Sequence, residues 1–550
     1  MASMMQPTGP IRTVVPPVVP ATQRPPTSSE QSENEGGGAW AVAALFAFAL
    51  VVGAYFTFRF GGRWTEWDTA SQADSIRAMA RDMVLLSPSG VYYANGYAFS
   101  AISTFILAAT GLDPATLTQS LYPLISATLV VVAWPLYREF TGSGRGATLA
   151  TLILFLQPEF LFVILRGSHE RVLRVLLLTS LFLLVRSFKF SKQPRSYAAY
   201  VVLFYVATYG MIATNSLFGS SYVWALGLAL LGSWLAGGFG PGLQEVSSYT
   251  RQRLVYVPIL CILLVFIFNS YIYPPAGSSL LQIPDILDRL SRLFLTTSPD
   301  AAKVAAYDPY ASVLEQWIDW RLYFVLSIGT FVLIFASGAS WAWTGLRWLA
   351  GTGEPPTLGQ WLLWLLYTAF VVQGAISIVA DRAGALGGNL QHRSFPSFIM
   401  LAAPMIATVL VQWKPGARGR SLVAGGLGVL ALLAIAKATN EPSISNKWTF
   451  YLPSEIGAVR FANNYFKDAA LWTDYDERLR ALLLMHEANR ADNYIGPFVP
   501  VLRGFIISDV IRLRSARLKR PLPPIGGELR VYDNGSSQIY RLRSRTPYQD

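Results

Sequence analysis

The chain has 550 residues, 53% hydrophobic and 14% charged, where ordinary soluble domains carry roughly 25% charged residues. With a mean hydropathy of +0.38, a single soluble globule, a disordered protein and a nucleic-acid factor are excluded. The formal charge of +12 is spread over the gaps between apolar runs, the pattern of a multipass membrane protein, and the one cysteine, Cys261, rules out a disulfide framework or a Cys-based metal site.

Residues 1–38 are rich in Pro, Ser, Thr and Gln and end in Gly36-Gly37-Gly38. So little apolar surface cannot offset ordering entropy, so they read as a disordered cytoplasmic tail. The run 39–60 has no small-residue exit and is expected to remain as an anchor. A span needs about 20 apolar residues. Further spans are expected near 117–137, 146–165, 170–187, 197–215, 217–236, 254–272, 322–346, 359–380, 395–412 and 421–438, about eleven in an all-α domain over 39–438.

The stretch 97–111 would make a twelfth, and charge decides against it. With eleven spans and the N-terminus inside, Arg138, Arg145, Arg186, Lys189, Lys192, Arg195, Arg251, Arg253, Arg347, Lys414, Arg418 and Arg420 all lie on the cytoplasmic side. A span at 97–111 would put this set outside, against the positive-inside bias. So 61–116 is expected as a first external loop with interfacial helices, and 273–320 as a second long one. Residues 439–550 should form an extracytoplasmic α+β domain. In it 454–468 and 475–490 read as helices, and Trp472-Thr-Asp-Tyr and Glu528–Tyr540 as strands, the latter a hairpin turning at Asn534-Gly535.

The first external loop carries Trp64-Thr-Glu-Trp-Asp68, where an interfacial helix begins about eight residues past the first span. A carboxylate there caps a helix favourably. Flanked by Trp64 and Trp67, it would also sit at the interface, in reach of a lipid headgroup.

Asp68 just after the first span, an amphipathic helix ending in Met83, then Tyr92-Tyr-Ala-Asn-Gly-Tyr97 before a second interfacial helix: this order resembles the GT-C superfamily, over roughly residues 40–200 and the external C-terminal domain. These are integral-membrane glycosyltransferases, among them protein mannosyltransferases, aminoarabinose transferases and oligosaccharyltransferases. The resemblance implies a polyprenyl-phosphate-linked sugar donor and transfer with inversion to a protein, lipid or glycan acceptor outside the membrane. It also implies Asp68 as base, acceptor-orienting group or metal ligand. Asp74 and Tyr97 are further candidate substrate contacts.

A second cluster, Gln157-Pro-Glu159 with Arg166-Gly-Ser-His169-Glu170-Arg171, lies where one span exits and the next re-enters. Ionisable groups at the end of apolar helices usually mark a substrate path or a paired structural cluster. By the resemblance, His169 and Glu170 occupy the place of an acidic motif that helps bind a divalent cation, Mg or Mn. The alternative is that Glu170 pairs with Arg166 or Arg174 and caps its helix. A third set, Asp381-Arg382 through His392-Arg393, precedes the tenth span. The guanidinium fork matches phosphate oxygens. The resemblance makes Arg393 the donor-phosphate contact, with Arg382 and His392 in support. The alternative pairs Asp381 with Arg382 and lets Arg393 snorkel to the interface.

Weaker signals are the 307–317 loop as a cover for a lipid substrate, Trp472–Arg478 as an acceptor contact, and the basic run 512–520 resting on anionic headgroups. With no Walker loop, GxGxxG or HExxH, a nucleotide cofactor and zinc-protease chemistry have no support. The expected activity is a membrane glycosyltransferase. A polysaccharide polymerase or ligase, or a flippase for lipid-linked glycans, are the alternatives.

Overall fold

The computed structural model describes residues 28–65, 67–86, 93–236, 241–277, 320–352, 354–382, 390–413, 416–444, 449–466, 470–473, 476–486, 502–519 and 521–543. Among them, nine helices are long and apolar enough to cross a membrane, ten if one bent pair counts as a single span. Residues 278–319, most of the expected second external loop and with it the 307–317 stretch, lie outside the described residues.

Helix α1 (Ser28–Phe60) ends at Gly61 and Gly62, whose φ of 55° and 69° are values that side chains with a Cβ avoid. They turn the chain into β1 (Trp64–Thr65) and α2 (Trp67–Asp82). Helix α3 (Ala98–Thr110) has 13 residues, about 20 Å of helix. It is too short to cross a hydrocarbon core of about 30 Å, so 97–111 is not a twelfth span. The spans continue as α4 (Pro114–Thr141), with a π-helical turn at Leu117–Leu121, and α5 (Gly144–Phe155), capped by Ser143 Oγ accepting from the Gly146 N–H at 3.0 Å.

The expected span 146–165 is broken. Helix α6 (Pro158–Leu165) leaves α5 at an angle of 74°. Pro158, at the first position of α6, has no N–H to carry on the preceding helix and a φ suited to starting a new one. The next helix, α7 (Glu170–Lys189), is less uniformly apolar than a lipid-facing span. Its Glu170, Arg171 and Arg174 are buried inside the protein instead. Then follow α8 (Pro194–Thr214), α9 (Ser216–Ala236), α10 (Leu243–Ile272), α11 (Ile328–Leu349), α12 (Leu358–Arg382), α13 (Leu390–Gln412) and α14 (Ala417–Ile444).

The C-terminal part holds β2 (Thr449–Phe450), α15 (Pro453–Tyr465), β3 (Ala470–Trp472), α16 (Glu477–His486), β4 (Leu502–Ser508), α17 (Asp509–Leu518), β5 (Leu529–Asp533) and β6 (Ser537–Arg541). A four-stranded sheet has the order β3-β4-β6-β5, with only β3 and β4 parallel. Its apolar face packs on Ala458, Val459, Leu479, Leu482 and Leu483 from α15 and α16. Under it Arg478 donates to Asp476 Oδ2 at 2.7 Å and to Glu455 Oε1 at 2.8 Å. Burial works against the charge on Arg478, but the two carboxylates outweigh it and raise its pKa.

This unit is fastened to the first loop at two places. Strands β1 and β2 pair antiparallel, Trp64 opposite Phe450. On α2, Arg77 donates to Met485 O at 2.8 Å and to Leu484 O, at the end of α16. Ala70 and Ala73 pack with Ala481, Leu484 and Met485 in one buried cluster. Small residues on α2 let the two helices approach closely, and burial of this apolar surface holds them together.

Candidate active site

Asp68 lies in the first turn of α2 and is half-buried. Its neighbour Thr69 faces the loop between α6 and α7. A β-carbon added at Gly167 would lie 2.7 Å from Thr118 O and 2.8 Å from Thr69 Cγ2, so only glycine lets this loop close against the start of α2. Trp64 is fully buried against Phe56, ring centroids 5.3 Å apart, and Gln119 donates to its carbonyl at 2.5 Å. The interfacial seat expected for Trp64 is thus replaced by a core position. The chain turns at Gly61-Gly62 before the tryptophan, and the ring joins Phe56 and Phe60 in the buried cluster. The side chain of Trp67 lies outside the described residues.

The loop itself carries a charge cluster. Arg166 Nη2 bridges Glu170 Oε1 at 2.6 Å. Arg171 lies over the Tyr122 ring at 4.9 Å, and Arg174 over the Phe218 ring at 4.8 Å. Arg174 is fully buried and donates through Nη1 to Ser397 Oγ at 2.5 Å. Its Nε and Nη2 find no hydrogen-bond acceptor among the described residues. His169 is buried too, its Nε2 2.9 Å from Asn215 Nδ2 and 3.3 Å from the Tyr93 hydroxyl.

These contacts do not suit a metal at His169 and Glu170. Among the described residues no three His, Cys, Asp or Glu side chains gather as ligands. Glu170 is taken by Arg166, and among the described residues three guanidinium groups stand around this one carboxylate, a balance that repels a cation and attracts an anion. Glu159, in the first turn of α6, stands apart: it pairs with Lys437 of α14 and accepts from Thr330 of α11.

Of the other candidates, Asp74 is buried in mid-α2, 3.6 Å from Arg77, where it supports the contact with α16. Tyr97 stacks on Phe268, 6.0 Å between centroids, with its hydroxyl 3.1 Å from that of Tyr209. Arg382 ends α12, and His392 and Arg393 lie in the first turn of α13. The side chains of all three lie outside the described residues, as do residues 383–389. On the chain, Arg393 is one helical turn before Ser397, the residue that holds Arg174.

The structure thus packs the start of α2 on the loop that carries the 166–174 cluster and joins that cluster to α13 through Arg174 and Ser397, while Asp74 lies against Arg77 and Tyr97 against Phe268. Arg174 carried a readable sign in the sequence, a guanidinium several residues inside an apolar run. Asn215, Tyr93 and Ser397 carried none, since their roles depend on contacts distant in the chain.

No known sequence family and no curated protein matches the chain. Solved structures do. ArnT from Cupriavidus metallidurans bound to undecaprenyl phosphate aligns with a TM-score of 0.53 at 13% identity, over 93% of this chain and 99% of that one. An archaeal oligosaccharyltransferase, AglB from Archaeoglobus fulgidus in complex with an inhibitory peptide and a dolichol-phosphate, aligns with a TM-score of 0.48 at 12% identity. That alignment covers 83% of this chain and 61% of the other, so the present chain spans under two thirds of its length. The arabinofuranosyltransferase AftD from Mycobacteria gives a TM-score of 0.40 at 14% identity, over 90% and 39% of the two chains.

Proposed function

On the premise that this multipass membrane protein has the GT-C fold, which it shares with ArnT over nearly its whole length, we propose that it transfers a sugar from a polyprenyl-phosphate-linked donor to an acceptor at one face of the membrane. The observation that supports this reading is that the first turn of α2, which carries the half-buried carboxylate Asp68, packs through Thr69 on Gly167, in the loop that bears the buried guanidinium cluster.

The chemistry asks for both. An acceptor hydroxyl must be oriented and lose its proton, and Asp68 supplies the base. As the acceptor oxygen bonds to the anomeric carbon, the bond from that carbon to the phosphate oxygen breaks and the phosphate leaves with the electron pair. Positive charge fixed in place stabilises it. Arg393 is the donor-phosphate contact in this reading, with Arg174, which donates to Ser397 one turn further along α13, in support and Arg382 in reserve. A single direct displacement with one carboxylate inverts the anomeric centre.

Sidedness follows from charge. The arginine-rich links between spans face the cytoplasm, and the first loop, the 166–174 cluster and the C-terminal unit face outward with the N-terminus inside. The membrane domain over 39–438 and the outward domain over 439–550 divide the work between donor and acceptor. The test is incubation of the purified protein with polyprenyl-phosphate sugars. Release of polyprenyl phosphate that rises when an acceptor glycan, lipid or peptide is added is the expected result. Donors that stay intact with every acceptor would overturn the assignment, and translocation of a lipid-linked glycan without cleavage would favour a flippase.

A further inference from the structure

At the end of the helix bundle away from the 166–174 cluster, a cavity of about 480 Å³ opens between the end of α11, the start of α12 and the end of α13. Helix α13 sets the distance. Ser397, near its start, holds Arg174, whereas Gln412, at its end, accepts from Arg347 at 3.4 Å. The helical rise puts these positions roughly 22 Å apart along the axis.

The walls are of three kinds. Trp343, Trp348 and Trp364 supply aromatic faces. Trp364 is held rigidly: it stacks on Trp341 at 5.3 Å and on Trp361 at 5.7 Å, with its Nε1 donating to Trp341 O at 3.2 Å. Gly345 leaves room for it, since a β-carbon there would lie 3.2 Å from the indole. Arg347 supplies a positive group and Glu354 a negative one. Although they line one cavity, no ion pair joins them among the described residues. Beside the opening, Leu346 and Leu349 are at least half exposed, an apolar flank continuous with the lipid-facing surface.

We propose that this cavity seats the headgroup of a zwitterionic phospholipid. The phosphate lies on Arg347, whose planar fork matches its oxygens. The ammonium lies between Glu354 and the tryptophan faces, which attract cations through carboxylate charge and ring quadrupole. The acyl chains run along the Leu346 and Leu349 flank, which a free headgroup would leave uncovered. Two opposite charges held apart in one cavity match a ligand that carries both, and Glu354 repels a purely anionic head.

The experiment uses the full-length protein, equilibrated in bilayers of equal parts phosphatidylethanolamine and phosphatidylglycerol, with retained lipids counted by native mass spectrometry. The expected result is about fivefold retention of phosphatidylethanolamine over phosphatidylglycerol. Arg347→Gln with Glu354→Gln should abolish that preference at unchanged melting temperature, and Glu354→Lys should turn it towards phosphatidylglycerol. Equal retention of both lipids by the unaltered protein, or an unchanged preference in both variants, would overturn the proposal. Both substitutions lie away from the proposed transfer site, so a loss of lipid preference with sugar transfer intact separates the two readings.

Discussion

Asp68 sits in the first turn of α2, where a helix terminus would welcome any carboxylate. Capping and catalysis therefore predict different behaviour for a neutral isostere. Asp68→Asn keeps the side chain's size and loses only the charge–dipole term at the helix terminus, about 0.3–1 kcal/mol, but removes the base. We expect the release of polyprenyl phosphate to fall by at least a hundredfold, in line with the usual weight of a positioned base, with the melting temperature unchanged. Turnover retained in Asp68→Asn would leave only the capping role. At position 167 the argument is steric. Gly167→Ala must push its methyl into Thr118 O and Thr69 Cγ2, and overpacking of this kind costs about 1–3 kcal/mol. The relief should come from a shift between α2 and the charge cluster, so transfer should fall more than thermal stability does. A fall in stability alone would show that the contact serves folding only.

Much at the level of single elements was legible because hydropathy and turn chemistry are local. The helices lie where runs of about 20 apolar residues require them. The hairpin β5–β6 turns at Asn534 and Gly535 as the dipeptide demands, with the Gly535 N–H donating to Asp533 Oδ1 at 2.8 Å. That 97–111 is not a full span was legible from charge balance, and α3 has only 13 residues. What escaped was the 74° break before Pro158, where the apolar residues on both sides outweighed the Gln157-Pro158-Glu159 interruption, and strand β4, whose Leu-Arg-Gly-Phe-Ile-Ile-Ser does not alternate. A strand packed on both sides reads as a featureless apolar run. The buried set Glu455, Asp476 and Arg478 is a further element-scale device. Removing its one cation by Arg478→Met strands two carboxylates beneath the sheet, at a cost of about 3–5 kcal/mol. Thermal unfolding of the full chain should show a lower transition for this variant, and no shift would mean that water reaches the cluster.

For the whole molecule, the site depends on which ends of the helices share a compartment. Charge counting puts positions 68 and 393 on one side and Arg347 on the other. Three single cysteines at 68, 393 and 347, introduced in a Cys261→Ser background, should divide two to one when labelled by an impermeant maleimide on sealed vesicles. Labelling of 68 and 393 from opposite sides would end the proposal of a shared site. The pairing of β1 with β2, and of α2 with α16, could not be read from the sequence. Each joins segments some 400 residues apart, and nothing in either segment names its partner.

That fastening gives the C-terminal unit a role beyond any residue it might present to an acceptor. The helix that carries Asp68 in its first turn is braced along one flank by a segment that follows α14 in the chain, so its packing is completed only after the bundle has been made. A polypeptide ending at residue 444 should still reach the membrane and keep its helices, yet lose transfer, because nothing would then hold the carboxylate in line. Recovery of activity when residues 449–543 are supplied as a separate chain would show the brace at work, and a truncated chain that transfers sugar unaided would show that the helix stands without it.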